Sequence, residues 1–171
     1  VTPRPTKLAL VAVLAVTCAA FVAVIRQQRD GALDPEELAS VLWLLTALFA
    51  VRVVGQVLVA VRSPSWLPPM SEWNLVPYRL LLPAQLAILS VMSWIDASFS
   101  TSSGPPVDRA EVFGWLLVGF SAVYAGAMIV RYVVRMRRRH ASRWFGGTIP
   151  IVFHLVLATY LYALGSFHVG S

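Results

Sequence analysis

Apolar residues run through this chain in five blocks, separated by stretches rich in charge, proline or serine. A helix that crosses a hydrocarbon core needs roughly 17 to 25 predominantly apolar residues. The blocks at 7–25, 38–61, 77–95, 112–134 and 148–167 meet that length. The predicted fold is therefore all-α, a polytopic bundle of five transmembrane helices in one domain. The connections are too short for a separate soluble unit.

The first block begins, like a secretory signal, behind Arg4 and Lys7. Its apolar run continues through "AAFVAVI" past the small residues where cleavage would fall, and it is too long for a signal's core. "AVTC" before Cys18 is a poor lipid-attachment box, since Ala15 stands where leucine is expected. The expectation is a retained first span.

Between the blocks, local chemistry marks the helix ends. In "RQQRDGALDPEEL", Asp34 is placed to cap a helix, with Pro35 at its first position and Glu36 and Glu37 in its first turn. Asp108 and Glu111 stand at capping-box positions for the fourth span. The 62–76 segment, "RSPSWLPPMSEWNLV", is unlike an ordinary loop. Its prolines forbid a helix, while Trp66, Leu67, Met70 and Trp73 are too apolar for water. It is expected at the membrane interface on the cytoplasmic side, roofing any site that opens there. Two stripes of small residues, Gly119, Ala122 and Gly126 on the fourth span and Ala12, Ala15, Ala19 and Ala23 on the first, are expected to pack inside the bundle.

Composition agrees with the spans: 58% of the 171 residues are hydrophobic and 13% charged, against about a quarter charged in a soluble domain. One cysteine, Cys18, excludes an internal disulfide, a CxxC pair and a cysteine-rich zinc site. The net charge of +6 points to basic loops against anionic lipid rather than to nucleic acid. Arg4, Lys7, Arg62, Arg79 and six arginines between Arg131 and Arg143 fall on one side. Only Arg26, Arg29 and Arg109 fall on the other. The positive-inside rule then places the N-terminus in the cytoplasm and the C-terminus outside. The expected location is a cell membrane, a bacterial inner membrane. Within the basic 135–147 loop, Arg135, Arg137, Arg138, Arg139 and Arg143 are expected to hold anionic lipid headgroups, each contributing about 1 kcal/mol.

Candidate chemistry is sparse. The sequence carries no HExxH, no Gly-rich phosphate loop and no paired carboxylates within a span; an enzyme is the less favoured reading. Asp96 stands at the outer end of the third span. His154 and His168 lie 14 residues apart, almost four turns and hence on one face. That spacing suits two stacked haems, but bis-histidine ligation needs facing histidines from a second helix or a homodimer partner.

The costliest residue is Arg52. An arginine near the bilayer centre costs about 3 kcal/mol on the insertion scale. Helical side chains lean toward their own N-terminus, for Arg52 the more distant surface. It is expected to turn inward. Gln56 lies one turn below, and Gln85, His154 and Tyr124 fall at comparable depth on other spans. These five residues are the expected ligand-binding set in the inner half of the membrane. The expected function is a small membrane subunit or accessory protein, its polar pocket holding an amphiphilic anion (a lipid headgroup or quinone-like molecule) or a partner helix. The alternatives are a membrane enzyme acting on a lipid or isoprenoid, with His154 as acid/base, or a small-solute transporter or haem protein.

Overall fold

A computed structural model describes residues 4–31, 34–62, 78–100, 110–138 and 148–170. They form five helices: α1 (Arg4–Asp30), α2 (Pro35–Arg62), α3 (Tyr78–Ser100), α4 (Glu111–Arg138) and α5 (Thr148–Val169). There is no strand among the described residues. Each helix is long and apolar enough to cross a membrane, as in a multi-pass membrane protein. The Asp108 cap, the 63–76 part of the interfacial segment, and Arg139 and Arg143 lie outside the described residues.

The helix ends have local causes. Asp34 opens α2 by accepting the Leu38 amide on its carbonyl at 2.9 Å and the Glu36 amide on Oδ1 at 3.3 Å. That satisfies amides with no intrahelical partner, and Glu36 and Glu37 face the positive end of the helix dipole. α1 stops at Gly31, whose φ of +144° only glycine adopts cheaply. Pro83 sits inside α3 and removes the amide that would have bonded the carbonyl of residue 79.

α5 is buried along most of its length, whereas α1 is mostly exposed. α5 packs against α4, α2 and α1, and α2 packs against α3. Tyr160 joins α5 to α3, and an edge-on contact between Phe99 and Phe167, 5.0 Å between centroids, repeats the join farther out. In lipid, apolar burial drives no association between helices, so close packing and polar contacts must hold the bundle. Buried polar side chains accordingly come from every helix, Arg52 and Gln56 from α2, Gln85 and Asp96 from α3, Ser121 from α4 and Thr159 and Ser166 from α5 among them.

The α4–α5 seam is the tightest. A Cβ added to Gly165 would lie 2.9 Å from the Gly114 carbonyl oxygen, and one on Gly114 would lie 2.9 Å from the Gly165 carbonyl oxygen. Only glycine at both positions allows the two backbones to approach this closely. About two turns farther along, Ser121 donates to the Ala158 carbonyl at 2.8 Å. The antiparallel register set by Gly114–Gly165 and Ser121–Ala158 carries straight down to Tyr124 and His154.

Both small-residue stripes run contrary to expectation. A Cβ on Gly119 or Gly126 would meet nothing within 4 Å, and Ala122 is exposed. On α1, Ala12, Ala15 and Ala19 are exposed, while Leu10, Thr17, Ala20 and Val24 face the bundle. Small residues permit close approach but do not compel it. The polar contacts of α4 (Ser121, Tyr124) lie off the stripe and decide which face turns in.

Candidate functional site

Polar side chains inside the bundle sort into layers. Thr46, Asp96 and Tyr160 form the one nearer the end of the bundle where α2 begins. Asp96 is completely buried; the Tyr160 hydroxyl donates to its Oδ1 at 2.9 Å and lies 3.3 Å from the Met92 carbonyl. The Thr46 hydroxyl is beside the same carboxyl without closing a well-formed bond, and Asp96 Oδ2 has no partner among the described residues. Above it, Ser100 donates to the Asp96 carbonyl at 2.8 Å and accepts the Trp43 indole N–H at 2.9 Å.

These contacts correct the depth of Asp96. Counted along its own helix it is four residues from the outer end of α3. Yet Tyr160 stands nine residues inward from the end of α5, about 14 Å, and Thr46 eleven residues inward from the start of α2, about 17 Å. Asp96 is thus a mid-bundle carboxyl. Sequence reasoning overlooked Tyr160 and Thr46, since nothing in the sequence reveals the stagger between helices.

Arg52 lies six residues inward from Thr46, about 9 Å, and is only 5% exposed. Its guanidinium sits 6.0 Å from the Phe49 ring centroid and 5.8 Å from that of Phe153. Nε has no hydrogen-bond partner among the described residues. Among the described residues no carboxylate pairs with it. The buried Asp96 carboxyl and the buried Arg52 guanidinium occupy different layers and do not pair with each other.

At the Arg52 level, the Tyr124 hydroxyl and His154 Nδ1 share a 2.6 Å hydrogen bond across the α4–α5 seam. The rings meet edge-on at 5.5 Å, and both side chains are half-buried. The Arg52 charge is close enough to act on both, and Arg131 also acts on His154. Gln56 and Gln85 are buried one turn farther in. The α2–α3 register set by Trp43–Ser100 places them level with each other. Neither the amide oxygen nor the amide nitrogen of Gln85 has a partner among the described residues. The structure thus places Tyr124 and His154 in contact and within electrostatic reach of Arg52, with Gln56 and Gln85 in the adjoining layer toward the Arg62 end of α2. A groove of about 360 Å³ between α2 and α3 is lined by none of the five.

His168 stands apart from this set. Its Nδ1 accepts the Ala110 amide at 3.4 Å, and its ring packs edge-on against Phe113 and Phe167. Both histidines face α4, where their neighbours are Tyr124 and the Ala110–Phe113 turn rather than facing histidines; His140 lies outside the described residues. Of the basic cluster, Arg135 is half-buried and Arg137 exposed, both in helical α4, which continues through Arg138. The α4–α5 register puts Arg131 level with Thr148, so about the last two turns of α4 project beyond the start of α5.

No protein family, curated protein or solved structure matches this chain.

Proposed function

We propose that this chain is a small integral-membrane subunit or accessory protein whose inner-half polar layer holds an amphiphilic anion or a partner helix. One observation carries the reading: a buried guanidinium with no hydrogen bond at Nε and no carboxylate beside it among the described residues. A buried charge is costly unless paired, so an anionic or carbonyl-bearing group from outside the chain is the missing counterpart. The orphan amide of Gln85 supplies donors and an acceptor one turn away, suited to a headgroup or quinone-like ring. The protein sits in a cell membrane, a bacterial inner membrane, with the N-terminus in the cytoplasm. Its basic α4 end (Arg135, Arg137, Arg138) and the adjoining Arg139 and Arg143 lie against anionic headgroups there.

A second reading is supported by the Tyr124–His154 bond. A short hydrogen bond that fixes an imidazole beside a cation is an arrangement suited to acid/base work on a lipid or isoprenoid substrate, with Arg52 stabilising the developing anion. Mass spectrometry of the gently purified protein separates the two. The leading reading expects one intact amphiphilic anion, or one partner polypeptide, per chain. A chemically altered lipid accumulating on incubation with membrane extract would favour the enzyme.

The orientation has its own test. Single cysteines at Ser102 and Ser142, in a Cys18→Ala background, should react with an impermeant thiol reagent from opposite sides. In intact cells position 102 is expected to label and position 142 to stay protected. The reverse pattern would invert the topology.

A further inference from the structure

The face of α2 opposite Arg52 carries the α2–α3 groove. Arg52, Gln56 and Val59 are buried on one side of the helix. Val54, Val57 and Val61, spaced at three and four residues, line the groove about half a turn round. Leu86 and Leu89 of α3 form its other wall. Valines at this face are left open to the surroundings: Val54 is 65% exposed and Val61 73%.

Two properties of the groove narrow its occupant. It runs from Ala50 to Arg62, twelve residues or about 18 Å, close to the roughly 15 Å depth of one leaflet's hydrocarbon. Its described lining is apolar except at the end, where Arg62, exposed in the last turn of α2, is the single charged side chain. An apolar slot of one-leaflet length that ends in a cation matches a lipid whose acyl chain fills the slot and whose phosphate meets the guanidinium. Arginine suits that contact because its planar fork can donate two parallel hydrogen bonds to phosphate oxygens.

We infer that the α2–α3 groove is a seat for an anionic phospholipid of the leaflet at the Arg62 end. The seat is separate from the Arg52 layer and does not depend on any ligand there. The lipid fills the gap between two helices that pack on each other, completing the outer surface of the hairpin. Its phosphate meets the last described turn of α2.

The test uses the full chain in nanodiscs of equal phosphatidylglycerol and phosphatidylcholine, with retained lipid counted by native mass spectrometry after gentle detergent release. Wild type is expected to keep phosphatidylglycerol preferentially. Arg62→Gln should lower that preference roughly five-fold, the ratio expected from one basic residue near an anionic surface, while leaving any molecule held at Arg52 in place. Val57→Trp, which fills the slot, should remove the retained lipid altogether. A benzophenone amino acid at Val54, where the side chain is exposed and the change is tolerated, should crosslink to phospholipid. Wild-type lipid preference in Arg62→Gln would overturn the seat, and so would a Val54 crosslink to a polypeptide, which would make the groove a helix-docking surface instead.

Discussion

Gly165→Leu is expected to cost about 3 kcal/mol or more, and the protein should lose its monodisperse state on mild heating. Overpacking a close-packed interface typically costs 1–3 kcal/mol. Here the clash is with backbone: the first added carbon would already stand 2.9 Å from the Gly114 carbonyl oxygen and 2.9 Å from Leu117 Cβ. A helix backbone cannot rotate out of the way as a flexible side chain can, so even Gly165→Ala should destabilise. The contrast lies on α4. At Gly119 and Gly126 an added methyl meets nothing within 4 Å, so Gly→Ala there should be neutral or stabilising by up to about 1 kcal/mol from helix propensity. Thermal unfolding of the four variants would order them. Loss of stability in Gly119→Ala or Gly126→Ala would show that the outward face of α4 is packed against something.

The second large effect inverts the usual ranking of substitutions. Arg52→Lys should harm the bundle more than Arg52→Leu. Lysine keeps a charge in the same dry position but concentrates it on a strongly hydrated ammonium. It also gives up the planar group that faces the Phe49 and Phe153 rings at 6.0 and 5.8 Å. The expected loss is about 2 kcal/mol, the size of a desolvated cation–ring contact. Leucine removes the buried charge altogether, along with its insertion cost of about 3 kcal/mol. Since the described residues offer Arg52 no ion pair to break, Arg52→Leu should be as stable as wild type or more so. If Arg52 were instead a structural keystone, the order would reverse.

The helices were legible in the sequence to a degree that the packing was not. Five long apolar runs leave few alternatives to five helices, because a lipid environment demands that backbone groups bond within their own segment. The start of α2 followed from Asp34, Pro35 and the two glutamates for equally local reasons. What local chemistry cannot supply is stagger and facing. Asp96 stands four residues from Ser100 on its own helix and becomes mid-bundle only when Tyr160 and Thr46 approach it from the middle of theirs. The glycine and alanine stripes were read as packing faces from their size alone. The seam was decided elsewhere, by Gly114, Ser121 and Tyr124 meeting Gly165, Ala158 and His154. In the candidate site, depth along each span put Gln56, Gln85, His154 and Tyr124 in one shared pocket with Arg52, whereas helix stagger and facing set Arg52, Tyr124 and His154 in one layer and the two glutamines in the next. The flanking rings of Phe49 and Phe153 could not be anticipated, since an apolar residue beside a cation looks no different in sequence from any other core residue.

Arg52 as the anchor of an external anionic ligand is the centre of this account, and one comparison addresses it most directly. Native mass spectra of wild type and Arg52→Leu, released from the same membrane under the same detergent, should differ by a single bound species. Wild type is expected to carry one amphiphilic anion or one partner chain. Arg52→Leu should be a folded bundle, with an unfolding temperature at or above that of wild type, from which that species is missing. An Arg52→Leu protein that keeps the same bound species, or that unfolds while wild type carries nothing, would contradict the account.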